Sequence, residues 1–245
     1  MYQFFVTDAQ VSESEILITG QDVNHIRNVL RMKVGEQVRI STDSGRNFFC
    51  SLAKIEEQSV QASILEEDVP GTELPCRIYL FQGLPKGDKM ELIIQKAVEL
   101  GVYAIIPVAM KNCVVKLDEK KAAGKVKRWQ GIAESAAKQS KRSMIPEIVE
   151  PMTYREAVKM AADFDVKLVP YENERGMLAT KEAMEAVKPG DSVGIFIGPE
   201  GGFTPEEITM AREEGMQLIS LGKRILRTET AGFVTLAILM YQLER

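Results

Sequence analysis

Between Val193 and Glu207 the chain reads as a strand, a turn and the start of a helix in immediate succession. Val193 to Ile197 is a short apolar run of the kind that fills a fully buried strand. Gly198-Pro199-Glu200-Gly201-Gly202 then bends the backbone sharply and leaves it bare enough for a ligand to come close. Thr204 is placed to cap a helix, Pro205 to take its first position, and Glu207 to complete a capping box with Thr204. This order implies a parallel sheet with a ligand site at the carboxyl end of its strands.

The arrangement recurs one helix and one strand later. Residues 218–221 are strand-like, and Gly222-Lys223-Arg224-Ile225-Leu226-Arg227-Thr228-Glu229-Thr230-Ala231 leads into an apolar helix that ends near Leu243. Two such loops should lie side by side over one crevice. An ordinary strand-to-helix turn does not need Arg224, Arg227, Glu229, Thr228 and Thr230 gathered around the apolar pair Ile225-Leu226. Nor is the first loop a phosphate cradle. A Walker loop carries Lys-Ser or Lys-Thr after its last glycine, where this chain has Phe203-Thr204, and the Gly-x-Gly-x-x-Gly spacing of a dinucleotide site is missing. Glu200 would repel a phosphate, so a ligand with a positive centre fits better.

From residue 77 onward strands and helices alternate: strands at 77–81, 104–108, 166–169, 193–197 and 218–221, helices near 88–100, 118–140, 154–164, 177–187, 205–214 and 231–243. That is the pattern of an α/β domain with a mainly parallel sheet. Earlier residues read differently, as short strands at 3–6, 15–18, 37–42, 48–55 and 60–65 with one helix over 20–30. Five short strands are most economically a small barrel. The expected organisation is a barrel domain over 1–70, a linker over 71–76 flagged by Pro70-Gly71 and Pro75, and the α/β domain over 77–245.

Composition narrows the chemistry. Hydrophobic content of 45% and charged content of 27% fit a soluble globular protein. No apolar run reaches membrane-spanning length and no signal-peptide pattern opens the chain, so a cytoplasmic protein is expected. Cys50, Cys76 and Cys113 are widely spaced, and His25 is the only histidine. Neither a disulfide framework nor a metal site is therefore expected. A net charge of −4 means that any nucleic acid must be met by local clusters. Arg27 and Arg31, four apart on the expected helix, would share a face, with Lys33, Arg39 and Arg46 nearby. His25 could orient a nucleotide or cap its own turn. A second basic run, Lys120 to Arg142, encloses Trp129 and ends in the polar residues Lys138, Gln139, Ser140, Arg142 and Ser143. A charged helix of this kind is usually a solvated face.

Gly198-Pro199-Glu200-Gly201-Gly202, taken with Leu221-Gly222-Lys223-Arg224-Ile225-Leu226-Arg227-Thr228-Glu229-Thr230-Ala231, resembles the signature of the RsmE family. Residues 25–31, 86–102 and 134–146 match it too, so the resemblance covers essentially the whole chain. Members are SPOUT-class methyltransferases that use S-adenosylmethionine to methylate N3 of a uridine in 16S ribosomal RNA of the small ribosomal subunit. The resemblance implies a PUA-like RNA-binding domain first, then a sheet domain closed by a C-terminal trefoil knot, and a homodimer without metal. Cofactor contacts would come from Ile197 and Gly198 to Gly202, from Leu221, Gly222, Ile225, Leu226, Arg227, Thr228, Thr230 and Ala231, and from Val169-Pro170-Tyr171. His25, Arg27, Arg31, Lys138, Gln139 and Arg142 would meet RNA.

Removing the proton from uridine N3 spreads negative charge over O2 and O4, so a base or a fixed cation is needed. Arg227 is the candidate cation, and Glu229 either takes the proton or holds Arg227 in place. Two other readings stand beside this one: a related enzyme with a different RNA target, and a non-catalytic RNA-binding assembly factor. The second would not need both loops.

Overall fold

The computed structural model describes residues 1–68 and 71–244. The chain forms two compact units: residues 1–73 together with 137–145, and residues 74–136 together with 146 onward.

The first unit opens with β1 (Tyr2–Val6), β2 (Glu15–Thr19) and the short helix α1 (Gln21–Asn24), which widens into a π turn over His25–Val29. Strands β3 (Gln37–Thr42), β4 (Asn47–Ile55) and β5 (Ser59–Glu67) follow, close to where the pattern put them. The sheet runs β1-β3-β4-β5-β2, with β1 parallel to β3 and the other pairs antiparallel. Along β2 the alternation is strict: Ile16 and Ile18 are buried while Glu15, Leu17 and Thr19 face out. Register shifts between β4 and β5, at Phe49/Cys50 and Leu52/Lys54, add twist and curl the sheet around Phe4, Ile26, Val38, Ile40, Phe48 and Leu52.

The expected linker is anchored. Asp68 pairs with Arg39 at 2.7 Å, the Thr72 hydroxyl donates to the Lys141 carbonyl at 2.7 Å, and Glu73 binds Arg142. Pro70, which marked it, lies outside the described residues. The stretch 137–145 thus belongs with the first unit although it sits far along the α/β sequence.

The second unit alternates β6 (Arg77–Gly83), α2 (Lys89–Glu99), β7 (Ala104–Ala109), α3 (Glu119–Ser140), β8 (Glu147–Ile148), β9 (Met152–Thr153), α4 (Tyr154–Met160), β10 (Val166–Pro170), α5 (Leu178–Glu185), β11 (Ser192–Ile197), α6 (Pro205–Glu213), β12 (Gln217–Ile219) and α7 (Thr228–Leu243). The sheet order is β12-β10-β11-β6-β7-β8, with β9 also beside β7, and every pairing is parallel. Phe81 and Phe196 face each other across β6 and β11 and stack with ring centroids 4.2 Å apart. The pair is worth about 1 kcal/mol beyond its buried area. Helix α2 packs beside α7, and its Met90, Ile93, Ile94, Ala97 and Val98 recur at helical spacing and are all buried.

After β12, at one edge, the chain returns to the middle of the sheet, where α7 packs on α2, β6 and β11. Helix α7 starts at Thr228, three residues before the expected Ala231, so the end of the second loop is already helical.

Candidate functional site

Because the sheet is parallel, the carboxyl ends of β6, β11, β10 and β12 share one edge. The loops that leave them enclose a cavity of about 510 Å³. A smaller one of about 110 Å³ adjoins it, and Pro170, Glu172, Ile225, Leu226 and Ala231 line both.

The glycine loop is fixed from several sides. A Cβ on Gly83, the last residue of β6, would lie 2.7 Å from the Pro199 nitrogen, so only glycine lets the loop rest there. Asn112, beyond β7, donates through Nδ2 to the carbonyls of Gly201 at 3.0 Å and Gly202 at 3.2 Å. Gly202 has φ +66°, a conformation that side chains disfavour. The capping box forms as read: Glu207 Oε2 accepts from the Thr204 N–H at 2.8 Å, and the Thr204 hydroxyl accepts from the Glu207 N–H at 3.3 Å.

Two side chains join the loops. The Thr228 hydroxyl donates to the Gly198 carbonyl at 2.6 Å and accepts from Gln82 Nε2 at 2.8 Å. Lys89, in the first turn of α2, donates from Nζ to Glu200 Oε1 at 2.9 Å and lies 3.3 Å from Glu229 Oε2. Burial would push the Glu200 carboxyl up, but the Lys89 ammonium and the Lys86 N–H outweigh that and hold it below its ordinary value. The same hydrogen bond to Glu200 raises Lys89. Glu200 is thus neutralised within the protein and is not the charge that would draw in a cationic ligand.

The second loop is more exposed. Ile225 is 85% accessible, Leu226 is half-buried, and Arg227 stands exposed on the wall of the larger cavity. Lys223 and Arg224 line the smaller one.

Most residues singled out in the sequence therefore meet. Ile197, the Gly198 to Gly202 turn, Pro170, Ile225, Leu226, Arg227, Thr228 and Ala231 line the larger cavity, and Tyr171, Leu221 and Gly222 the smaller. Val169 is fully buried in the sheet, and Thr230 lines neither cavity. Glu229 lines neither cavity and pairs with Lys89, not with Arg227. Lys89, Gly83, Gln82 and Asn112 went unread.

The expected RNA contacts fare unevenly. Arg31 has φ +52° and stands beyond the helical turn, so it does not share a face with Arg27. Arg27 donates to the Glu57 carbonyl at 3.0 Å. Arg142 is buried, 3% exposed, and grips Glu73 with Nε donating to both carboxylate oxygens at 2.9 Å. Ser143 is buried with it and accepts from Asn47 Nδ2 at 2.8 Å. These two brace the first unit and do not face a substrate. Lys138 is half-buried and paired with Asp22 at 3.0 Å, while Gln139 is exposed. His25 is exposed with its ring edge-on to Phe4. Trp129 is buried and offers no stacking face.

Residues 72–240 match a family model described as an RNA methyltransferase domain, and residues 18–65 match one described as an RNA methyltransferase PUA domain. The chain is 39% identical to the ribosomal RNA small subunit methyltransferase E of Bacillus subtilis, an alignment that covers 100% of this chain and 98% of the relative. It belongs to the ribosomal RNA small subunit methyltransferase E family.

The Mesomycoplasma hyopneumoniae member is 36% identical over 96% of this chain and 97% of its own length. A crystal structure of the Neisseria gonorrhoeae methyltransferase E bound to S-adenosyl methionine superposes with a TM-score of 0.85 at 34% identity, covering 99% of this chain and 98% of that one. As a member of this family, the chain is an enzyme with a PUA-type unit and a parallel-sheet methyltransferase unit. Among the described residues no cluster of three or more His, Cys, Asp or Glu is placed to hold a metal ion, and no helix is long and apolar enough to cross a membrane.

Proposed function

We propose that the chain transfers a methyl group from S-adenosylmethionine to N3 of a uridine in the RNA of the small ribosomal subunit. The observation that carries this reading is the union of the two loops around one two-chambered cavity, with the glycine turn on one side and Ile225, Leu226 and Arg227 on the other. When bound, S-adenosylmethionine supplies an electrophilic methyl carbon on a sulfonium that leaves as an uncharged thioether. Its two parts, nucleoside and amino acid, suit two adjoining chambers. Pro170, Tyr171 and the backbone of Leu221-Gly222 and Ile225-Leu226 would hold it, over the bare Gly198 to Gly202 turn.

The chain's own contribution is electrostatic. Among the described residues Arg227 makes no side-chain hydrogen bond or ion pair, and its planar guanidinium suits the oxygens that gain charge as N3 loses its proton. Glu229 is the anchor of Lys89 in this reading. His25, Arg31 and Gln139, all exposed on the first unit, are the side chains best placed to meet RNA there.

A homodimer is supported by α7, whose Phe233, Val234 and Ile238 are only half-buried and whose Tyr241 is 65% exposed. Light scattering on the purified protein tests it. Three buried free thiols suit a reducing, cytoplasmic setting.

The deciding experiment incubates the protein with methyl-labelled S-adenosylmethionine and under-methylated small ribosomal subunits, then resolves the nucleosides. Label in N3-methyluridine is the expected outcome. Label in another nucleoside moves the target, and none at all, with the ligand still bound in a titration, defeats the substrate assignment.

A further inference from the structure

Five residues line both chambers: Pro170, Glu172, Ile225, Leu226 and Ala231. Four are apolar, and Glu172 is the only charged one. Its carboxylate overhangs the glycine turn, with Oε1 3.0 Å from where a Cβ on Gly202 would stand.

The other acidic side chains around the cavities are already compensated. Glu200 and Glu229 share Lys89, and Glu174 lies 3.5 Å from Arg212. Among the described residues Glu172 forms no ion pair. The exposed cations are divided, Lys223 and Arg224 on the smaller chamber and Arg227 on the larger, while Glu172 stands at the partition.

A ligand that fills both chambers places its joint at that partition. In S-adenosylmethionine the joint between nucleoside and amino acid is the sulfonium. In the product, S-adenosylhomocysteine, the same atom is an uncharged thioether, and the rest of the molecule is unchanged.

We infer that Glu172 is the residue that tells the charged methyl donor from its uncharged product. This rests on the reading of the cavity as the S-adenosylmethionine site. A carboxylate facing the sulfonium favours binding of the donor and loses its attraction once the methyl group has gone, which helps the product leave. It acts on the ground state, where sulfur carries full charge, more than on a transition state where that charge is dispersing. It therefore governs donor affinity and product inhibition, and its loss does not slow turnover but raises it by part of what donor affinity loses.

The test is calorimetric titration of the wild-type protein and of Glu172→Gln with both ligands. Glu172 is exposed, so the expected loss is modest: donor affinity about threefold to fivefold weaker in Glu172→Gln, product affinity within about twofold. Glu172→Asp restores most of the difference, and Glu172→Lys reverses the preference. In steady state the donor KM rises and kcat rises with it, by less than the loss of donor affinity. Thermal melts establish that each variant is folded.

Equal weakening of both ligands assigns the carboxylate to the amino-acid ammonium, which the two share, and overturns the inference. No change in either overturns it as well. If the wild-type protein binds neither ligand, the reading of the cavity falls too, an outcome distinct from the other two.

Discussion

The Gly198–Gly202 loop and the Gly222–Arg227 loop face one cavity from opposite sides, and they are held by different means. The first is fixed at the level of its backbone. Gly83 lies flat against Pro199, Asn112 holds two consecutive carbonyls, and the capping box of α6 sets where the turn must end. The second is tied at its two ends, by the Gly222 N–H donating to the Ser220 hydroxyl at 3.3 Å and through Thr228, and leaves Lys223, Arg224, Ile225 and Arg227 exposed between them. One side of the site is therefore a preformed wall, whose ordering cost is met on folding. The other presents side chains whose positions are completed by what they bind. Binding and chemistry are expected to separate along the same line.

Arg227→Ala tests the open side most severely. It should lower kcat by about a hundredfold or more while cofactor affinity stays within about twofold, because the guanidinium acts where charge develops. A matching loss of cofactor affinity in calorimetry would remove that role. Gly83→Ala tests the fixed side. The added methyl meets loop backbone that cannot give way cheaply, so about 1–3 kcal/mol of stability and most cofactor binding should go together, read by thermal melt and titration.

Ile225→Ala should show the reverse combination. At 85% exposure the side chain gives the fold little, so melting should be unchanged, while cofactor affinity falls about fivefold for roughly 1 kcal/mol of lost apolar contact. A destabilised Ile225→Ala protein would blur the contrast between the loops.

The smallest effect concerns pH. The Glu200 carboxyl is held below its ordinary value of 4.5, so its contribution is present above that value and fades as pH falls through the lower, folded one. The Lys89 ammonium is raised above 10.5, so its contribution is full below that value and fades as pH climbs past the folded one. Between these limits the difference in melting temperature between wild type and Lys89→Met should be flat, and it should shrink at the acid end. A difference that grew with acid would show that Glu200 is not Lys89's principal partner.

The loops were readable because local chemistry marks them: glycines where the backbone must turn, a threonine-proline-glutamate helix start, arginines where a plain turn needs none. The strands of both units were readable from alternation or unbroken apolar runs. What stayed hidden depends on distant pairing. Lys89 looks like any lysine in a first helical turn until Glu200 and Glu229 are folded against it. Gly83 ends one buried strand and Asn112 follows another, and the rule that parallel sheets bind ligands at their carboxyl ends would have drawn attention to both.

Arg142 misled for the converse reason. A basic residue at the end of a polar helix reads as surface, and nothing nearby in sequence announces that Glu73 will bury it. Arg31 misled because the apolar spacing that marks a helix does not say where the last turn stops.

The grouping of residues 137–145 with residues 1–73 also sets an order of events during synthesis. Gln3, Asn47 and Glu73 are made early, but their partners Arg142 and Ser143 arrive only after the first strands and helices of the other unit have been translated. At usual elongation rates the nascent first unit waits on the order of ten seconds with those polar groups unmatched. A fragment ending at Glu73 would wait indefinitely, so the N-terminal unit completes its fold only as part of a longer chain.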